Sequence, residues 1–79
     1  MKNVELKVSL PSIDSVKRFV AASMQFDGEV DLTSDRYVVD GKSIMGVFSL
    51  DLSKPINCSI KGKDNEVDTF VKNINPFTE

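Results

Sequence analysis

The sequence predicts an α+β fold in the order β-α-β-β-α-β-α, one sheet carrying its helices on one face. Three observations carry that prediction. Residues Val4 to Leu10 alternate apolar and polar, the period of two that marks a strand with one buried face. From Ile13 the spacing becomes helical, with Ile13, Val16, Phe19, Val20, Ser23 and Met24 on one side. The same two periods then recur along the chain, separated by turn residues. Stacking the helical stripes on one face of a single sheet buries all of them economically.

Each element has its own justification. Pro11 ends the first strand, Ser12 is placed to cap the first helix, and Asp14 sits in the first turn, where the helix dipole favours an anion. Asp27-Gly28 stops that helix by supplying a residue tolerant of positive φ. Val30 and Leu32 alternate with Glu29, Asp31 and Thr33 in a second strand, Ser34-Asp35 turns the chain, and Arg36 to Val39 forms a third strand. After Asp40-Gly41, Ser43 sits at a cap position before a helix of about two turns, with Ile44, Val47, Phe48 and Leu50 in its pattern. Gly46 weakens that helix by about 1 kcal/mol relative to Ala. Ile56, Cys58 and Ile60 share one face of a fourth strand. Asp64 or Asn65 caps the last helix, where Val67, Phe70, Val71 and Ile74 recur at helical spacing before Pro76.

The 79 residues are expected to form a single domain over 1–79, with room for one core and none for a deep active-site cavity. Acidic and basic residues are interspersed and the formal net charge is −2, which disfavours non-specific nucleic-acid binding. No apolar run is long enough to span a bilayer, and Met1 to Glu5 run straight into strand-like sequence without a signal-peptide segment, so a cytoplasmic protein is the expectation. With no histidine and one cysteine, an intrachain disulfide, the usual zinc sites and His-dependent catalysis are excluded. Asp27, Asp31 and Asp35 lack the spacing of a calcium loop. No cofactor is expected, and no enzyme activity.

Gly41-Lys42-Ser43-Ile44-Met45-Gly46-Val47-Phe48-Ser49-Leu50 resembles, nearly residue for residue, the regulatory-serine segment of the HPr family of sugar-phosphotransferase carriers (K-S-I-M-G-V-M-S-L). Arg18-Phe19-Val20, Phe26 and the strand Glu29 to Leu32 are similar in spacing to that family's first helix and second strand, and Ile60-Lys61-Gly62 through Asp64 matches more weakly. The resemblance covers nearly the whole chain and implies an open-faced β-sandwich with a four-stranded antiparallel sheet and three helices on one face. In the family, a histidine in a G-L-H-x-R-P-A stretch carries phosphoryl, and an arginine helps hold its charge. Anchored on Arg18-Phe19-Val20, the alignment places Ser12 at the histidine and Asp14 at the arginine. A serine without a base is a poor nucleophile, and an aspartate repels an incoming phosphoryl group. A second departure is Asp51-Leu52-Ser53-Lys54-Pro55, where the family has a glycine-containing turn. Because Asp tolerates positive φ, this turn is expected to form without glycine.

The resemblance therefore implies a non-catalytic regulatory or adaptor protein of the sugar phosphotransferase system, acting in carbon catabolite regulation. Ser43 is the candidate phosphorylation site, since the matching serine is a kinase substrate in the family; as a residue, it serves equally as a plain N-cap. Lys17, Ile44, Met45 and Phe48 are candidate partner contacts, with core packing as the other reading for the last three, while Val47 and Leu50 read as core. Lys17 and Arg18 could help hold an anion at the helix amides or form a solvated face. Cys58 and Met24 read as core residues. The implied partners are proteins: phosphotransferase enzymes, a serine kinase or a transcriptional regulator. Two rival readings are a residual phosphocarrier using Ser12 or Asp14 as acceptor and a repurposed structural or self-association module. The sequence leaves the oligomeric state open.

Overall fold

The computed structural model describes residues 1–79. Its elements are β1 (Lys2–Val8), α1 (Ile13–Gln25), β2 (Glu29–Ser34), β3 (Tyr37–Asp40), α2 (Ile44–Phe48), β4 (Ile56–Gly62), α3 (Asp64–Asn73) and a 3-10 turn (Asn75–Phe77). The four strands form one antiparallel sheet in the order β1-β4-β2-β3. The α+β class, the element order and the four-stranded antiparallel sheet with three helices agree with the sequence expectation.

Register follows the period of two. Val8 opposes Ile56, Val4 opposes Ile60, and Leu32 opposes Cys58, so one face of the sheet is apolar. The helices lay Val16, Phe19, Val20, Val47, Val67, Phe70 and Ile74 on that face, giving one core cluster of 16 buried residues. Phe70 stacks on Phe26 with centroids 4.8 Å apart, and Phe19 meets Phe70 and Phe77 edge-on at 6.3 Å. Ser23 is buried within α1 and is satisfied by donating to the Phe19 carbonyl at 2.9 Å.

Several local expectations are corrected. β1 ends at Val8, and Leu10 is buried in the connection beyond it. Ile13 and Met24 are 64% and 67% exposed, although their spacing suggested core. The apolar pattern of α1 is wider than the face the sheet can cover, and these two residues lie beyond Val20 on its flank. Asp27-Gly28 ends α1 without any positive φ, since the C-cap Phe26 is already extended. Gly28 answers instead to a close approach: a Cβ there would overlap the Lys61 carbonyl oxygen and lie 2.5 Å from the Phe26 ring. The single positive φ, 52°, is at Asp35, in a two-residue Asp35-Arg36 loop, so β3 begins at Tyr37, one residue later than expected. The turn after α2 also forms without positive φ. Asp51 Oδ1 accepts from the Ser53 amide at 3.1 Å and its hydroxyl at 2.5 Å, and these bonds hold the Asp51 carboxyl below its usual pKa. In α3 the cap is Lys63, with no side-chain bond, and Asp64 is the first helical residue.

Candidate functional site

Ser12 stands at the start of α1 in an extended conformation, φ −134° and ψ 160°. Its Oγ accepts from the Ser15 amide at 3.1 Å, and the Ser15 hydroxyl accepts from the Ser12 amide at 3.1 Å while donating to the Ser12 carbonyl at 2.7 Å. This reciprocal pair is a capping box with Ser in place of the usual Glu, and it explains why Ser15 is buried. No carboxylate or amine is bonded to the Ser12 hydroxyl, so nothing in its hydrogen-bond shell acts as a base. Asp14, in the same first turn, forms an exposed i,i+4 ion pair with Arg18, its Oδ2 2.9 Å from Arg18 Nε. Arg18 is thereby engaged, whereas Lys17 is exposed and in no ion pair.

The second part of the surface is α2. Ser43 is exposed and caps this helix, its Oγ accepting from the Gly46 amide at 3.2 Å. The preceding loop is held by the Ser43 amide donating to the Asp40 carbonyl at 3.0 Å and the Lys42 amide donating to Asp40 Oδ1 at 2.8 Å. Lys42 Nζ lies 6.0 Å from the centre of the Phe26 ring, which fixes its stem beside the start of α2. Val47 and Leu50 point into the core, as their spacing suggested. Ile44, Met45 and Phe48 are exposed, Met45 the most at 78%.

Helices α1 and α2 are in contact, so Ser12, Asp14 and Lys17 lie on one of two neighbouring helices and Ser43, Ile44, Met45 and Phe48 belong to the other, with Lys42 at the start of α2 set against Phe26 at the far end of α1 from Ser12. Two exposed apolar residues of α1, Ile13 and Met24, were missed in the sequence. Ile13, Lys17, Ala21 and Met24 follow at spacings of four, four and three, one exposed line along α1. The signal was available: on a helical wheel, Ile13 and Met24 fall nearer Lys17 than Phe19. The largest cleft, about 490 Å³, lies elsewhere, between the end of α1 and α3, and none of these residues lines it. Cys58 is buried in β4, and burial, with a smaller effect from the Asp31 charge, pushes its thiol up to about 12. It is a core residue, far from thiolate chemistry.

No helix is long and apolar enough to cross a membrane, and no group of His, Cys, Asp or Glu could hold a metal ion. A family model described as the PTS HPr component phosphorylation site matches residues 15–79. The chain belongs to the HPr family. Among solved structures it is similar to HPr-C-His from Thermoanaerobacter tengcongensis, with a TM-score of 0.71 and 26% identity over 95% of this chain and 92% of that one. It also shares the fold of the phosphocarrier protein HPr from Bacillus anthracis str. Ames, with a TM-score of 0.63 and 22% identity over 92% of this chain and 95% of that one. No curated protein sequence matches it. The HPr match begins at Ser15, directly after Ser12 and Asp14, while the Ser43 segment lies well inside it.

Proposed function

We propose that this HPr-family chain is a non-catalytic regulator or adaptor of the phosphoenolpyruvate-dependent sugar phosphotransferase system, acting as one cytoplasmic domain. It binds protein partners through the exposed faces of α1 and α2 and is regulated by phosphorylation of Ser43. The observation that carries this reading is the pairing of a complete Ser43 segment with an α1 start that has no histidine.

The geometry supports each half. At the start of α1, the Ser12 hydroxyl is used as a cap and Asp14 adds negative charge, which opposes phosphoryl transfer to this helix. At the start of α2, the Ser43 hydroxyl is exposed to an incoming kinase. A phosphate there carries nearly two negative charges beside the Ile44–Met45 surface. It converts an apolar patch into one flanked by an anion, favouring partners that present arginine or lysine and disfavouring acidic ones. Ile13 and Met24 extend the apolar part of that surface along α1.

The competing carrier reading is tested by incubating the chain with phosphoenolpyruvate and the phosphoryl-donating enzyme of the system. A non-catalytic regulator gains no mass in that incubation. Stable label on Ser12 or Asp14 would reinstate a phosphocarrier.

A further inference from the structure

The two edges of the sheet are treated differently. At the Val8 end of β1, Thr78 bridges Val8, the Ser9 amide donates to the Phe77 carbonyl at 2.7 Å, and the Glu79 amide donates to the Lys7 carbonyl at 3.0 Å. No strand lies outside β3. Antiparallel pairs alternate between bonded and non-bonded residues. The two-residue Asp35-Arg36 loop makes Ser34–Tyr37 a bonded pair, and the Gly41 amide reaching the Val30 carbonyl at 2.7 Å continues the same phase. Val38 is therefore a non-bonded partner of Thr33, so its amide and carbonyl point outward. Tyr37 and Val38 are 70% and 64% exposed at this edge. An open, apolar edge of this kind is a template for another strand.

Charge selects the occupant. Arg36 and Asp40 stand two residues either side of Val38. Arg36 is in no ion pair, and Asp40 faces the like charge of Asp31 across the ladder. A second copy of β3 running antiparallel about a two-fold axis at Val38 puts Arg36 of each copy opposite Asp40 of the other. The same register places Tyr37 opposite Val39, an aromatic–β-branched pair, twice over. Parallel pairing in register would set Arg36 against Arg36 and Asp40 against Asp40. We propose that the β3 edge pairs with the β3 edge of a second copy of this chain, antiparallel and centred on Val38, to form a weak, reversible dimer. The contact is one short strand, which belongs with small, transient interfaces.

The test is amide hydrogen exchange by NMR on the full chain, alongside sedimentation equilibrium, from about 0.05 to about 2 mM. The expected result is that the Val38 amide gains protection as concentration rises, in proportion to a shift in mass from 8.8 kDa toward twice that value. The amide of Val39, already turned toward β2, should not change with concentration. Val38→Lys, which leaves the β2 ladder intact, should abolish both effects. Arg36→Asp, in the exposed turn, and Asp40→Arg should each weaken association alone, and an equimolar mixture of the two should restore it. A folded chain that stays monomeric throughout overturns the proposal. So does association that leaves the Val38 amide unprotected, or protection that arises only when a different protein supplies the strand.

Discussion

Ser12 and Ser15 hold one another across the first turn of α1, each hydroxyl accepting from the other's backbone amide at 3.1 Å. The position that the HPr resemblance assigns to the phosphoacceptor is thus occupied by a capping residue. The two hydroxyls satisfy amides that a helix start otherwise leaves without partners. This gives the serine a structural role that does not require phosphoryl chemistry.

Ser12→Ala should cost about 1 kcal/mol through loss of the cap. For a domain of this size that corresponds to a fall in melting temperature of about 4–8 °C, readable by circular dichroism or calorimetry. Phosphorylation of Ser43 should be unaffected in the folded variant.

Met45→Lys should leave stability within about 0.5 kcal/mol, because the side chain is largely solvent-exposed. Binding to the cognate protein partner, measured by calorimetric titration, should weaken by about tenfold or more. Phe48→Ala, at a half-covered position, should lower both stability and affinity.

Gly28→Ala should be far more damaging than Gly46→Ala. At Gly28 the new methyl meets a backbone carbonyl and the rigid Phe26 ring, so overpacking of at least about 2 kcal/mol is expected in chemical denaturation. At Gly46 the nearest outside atom is Val39 Cβ at 3.3 Å, and a helix-propensity gain of about 1 kcal/mol opposes the crowding.

The Cys58 thiol gives stability an alkaline slope. Its pKa is about 12 in the folded chain against an ordinary value of 9.0, so above pH 9 the unfolded chain loses a proton that the folded chain keeps. Stability then falls with rising pH between those values, by up to about 1.4 kcal/mol per pH unit from this group. The Lys2–Asp68 pair, which raises the pKa of Lys2, also fades as pH rises through the lysine range. Comparing pH slopes of urea unfolding for the parent and Cys58→Ala isolates the thiol. The slope should flatten in the variant, and the thiol should resist alkylation until the chain unfolds.

Much of the fold was legible because burial here obeys the two simple periods. Val4, Leu6 and Val8 alternate toward the helices, and Val67, Phe70 and Ile74 recur on the inner face of α3. What escaped the sequence depends on tertiary neighbours. Nothing local to Gly28 announces the Lys61 carbonyl, more than thirty residues away, that excludes a side chain there. Ile13 and Met24 carry apolar side chains at plausible core spacing, and only the width of the sheet they overhang leaves them exposed. The Ser43 segment was readable as a motif, and Val47 as core, but the exposure of Met45 was open between partner contact and core packing until the fold was described. That α1 carries an exposed apolar flank of its own was not readable.

Regulation through Ser43 is tested most directly by intact-mass spectrometry of the chain after incubation with ATP and a bifunctional HPr serine kinase, with Ser43→Ala as the control. A serine-switched regulator gains one phosphate, and the gain disappears in Ser43→Ala. A folded parent chain that takes up no phosphate, or one whose phosphate persists in Ser43→Ala, would contradict it.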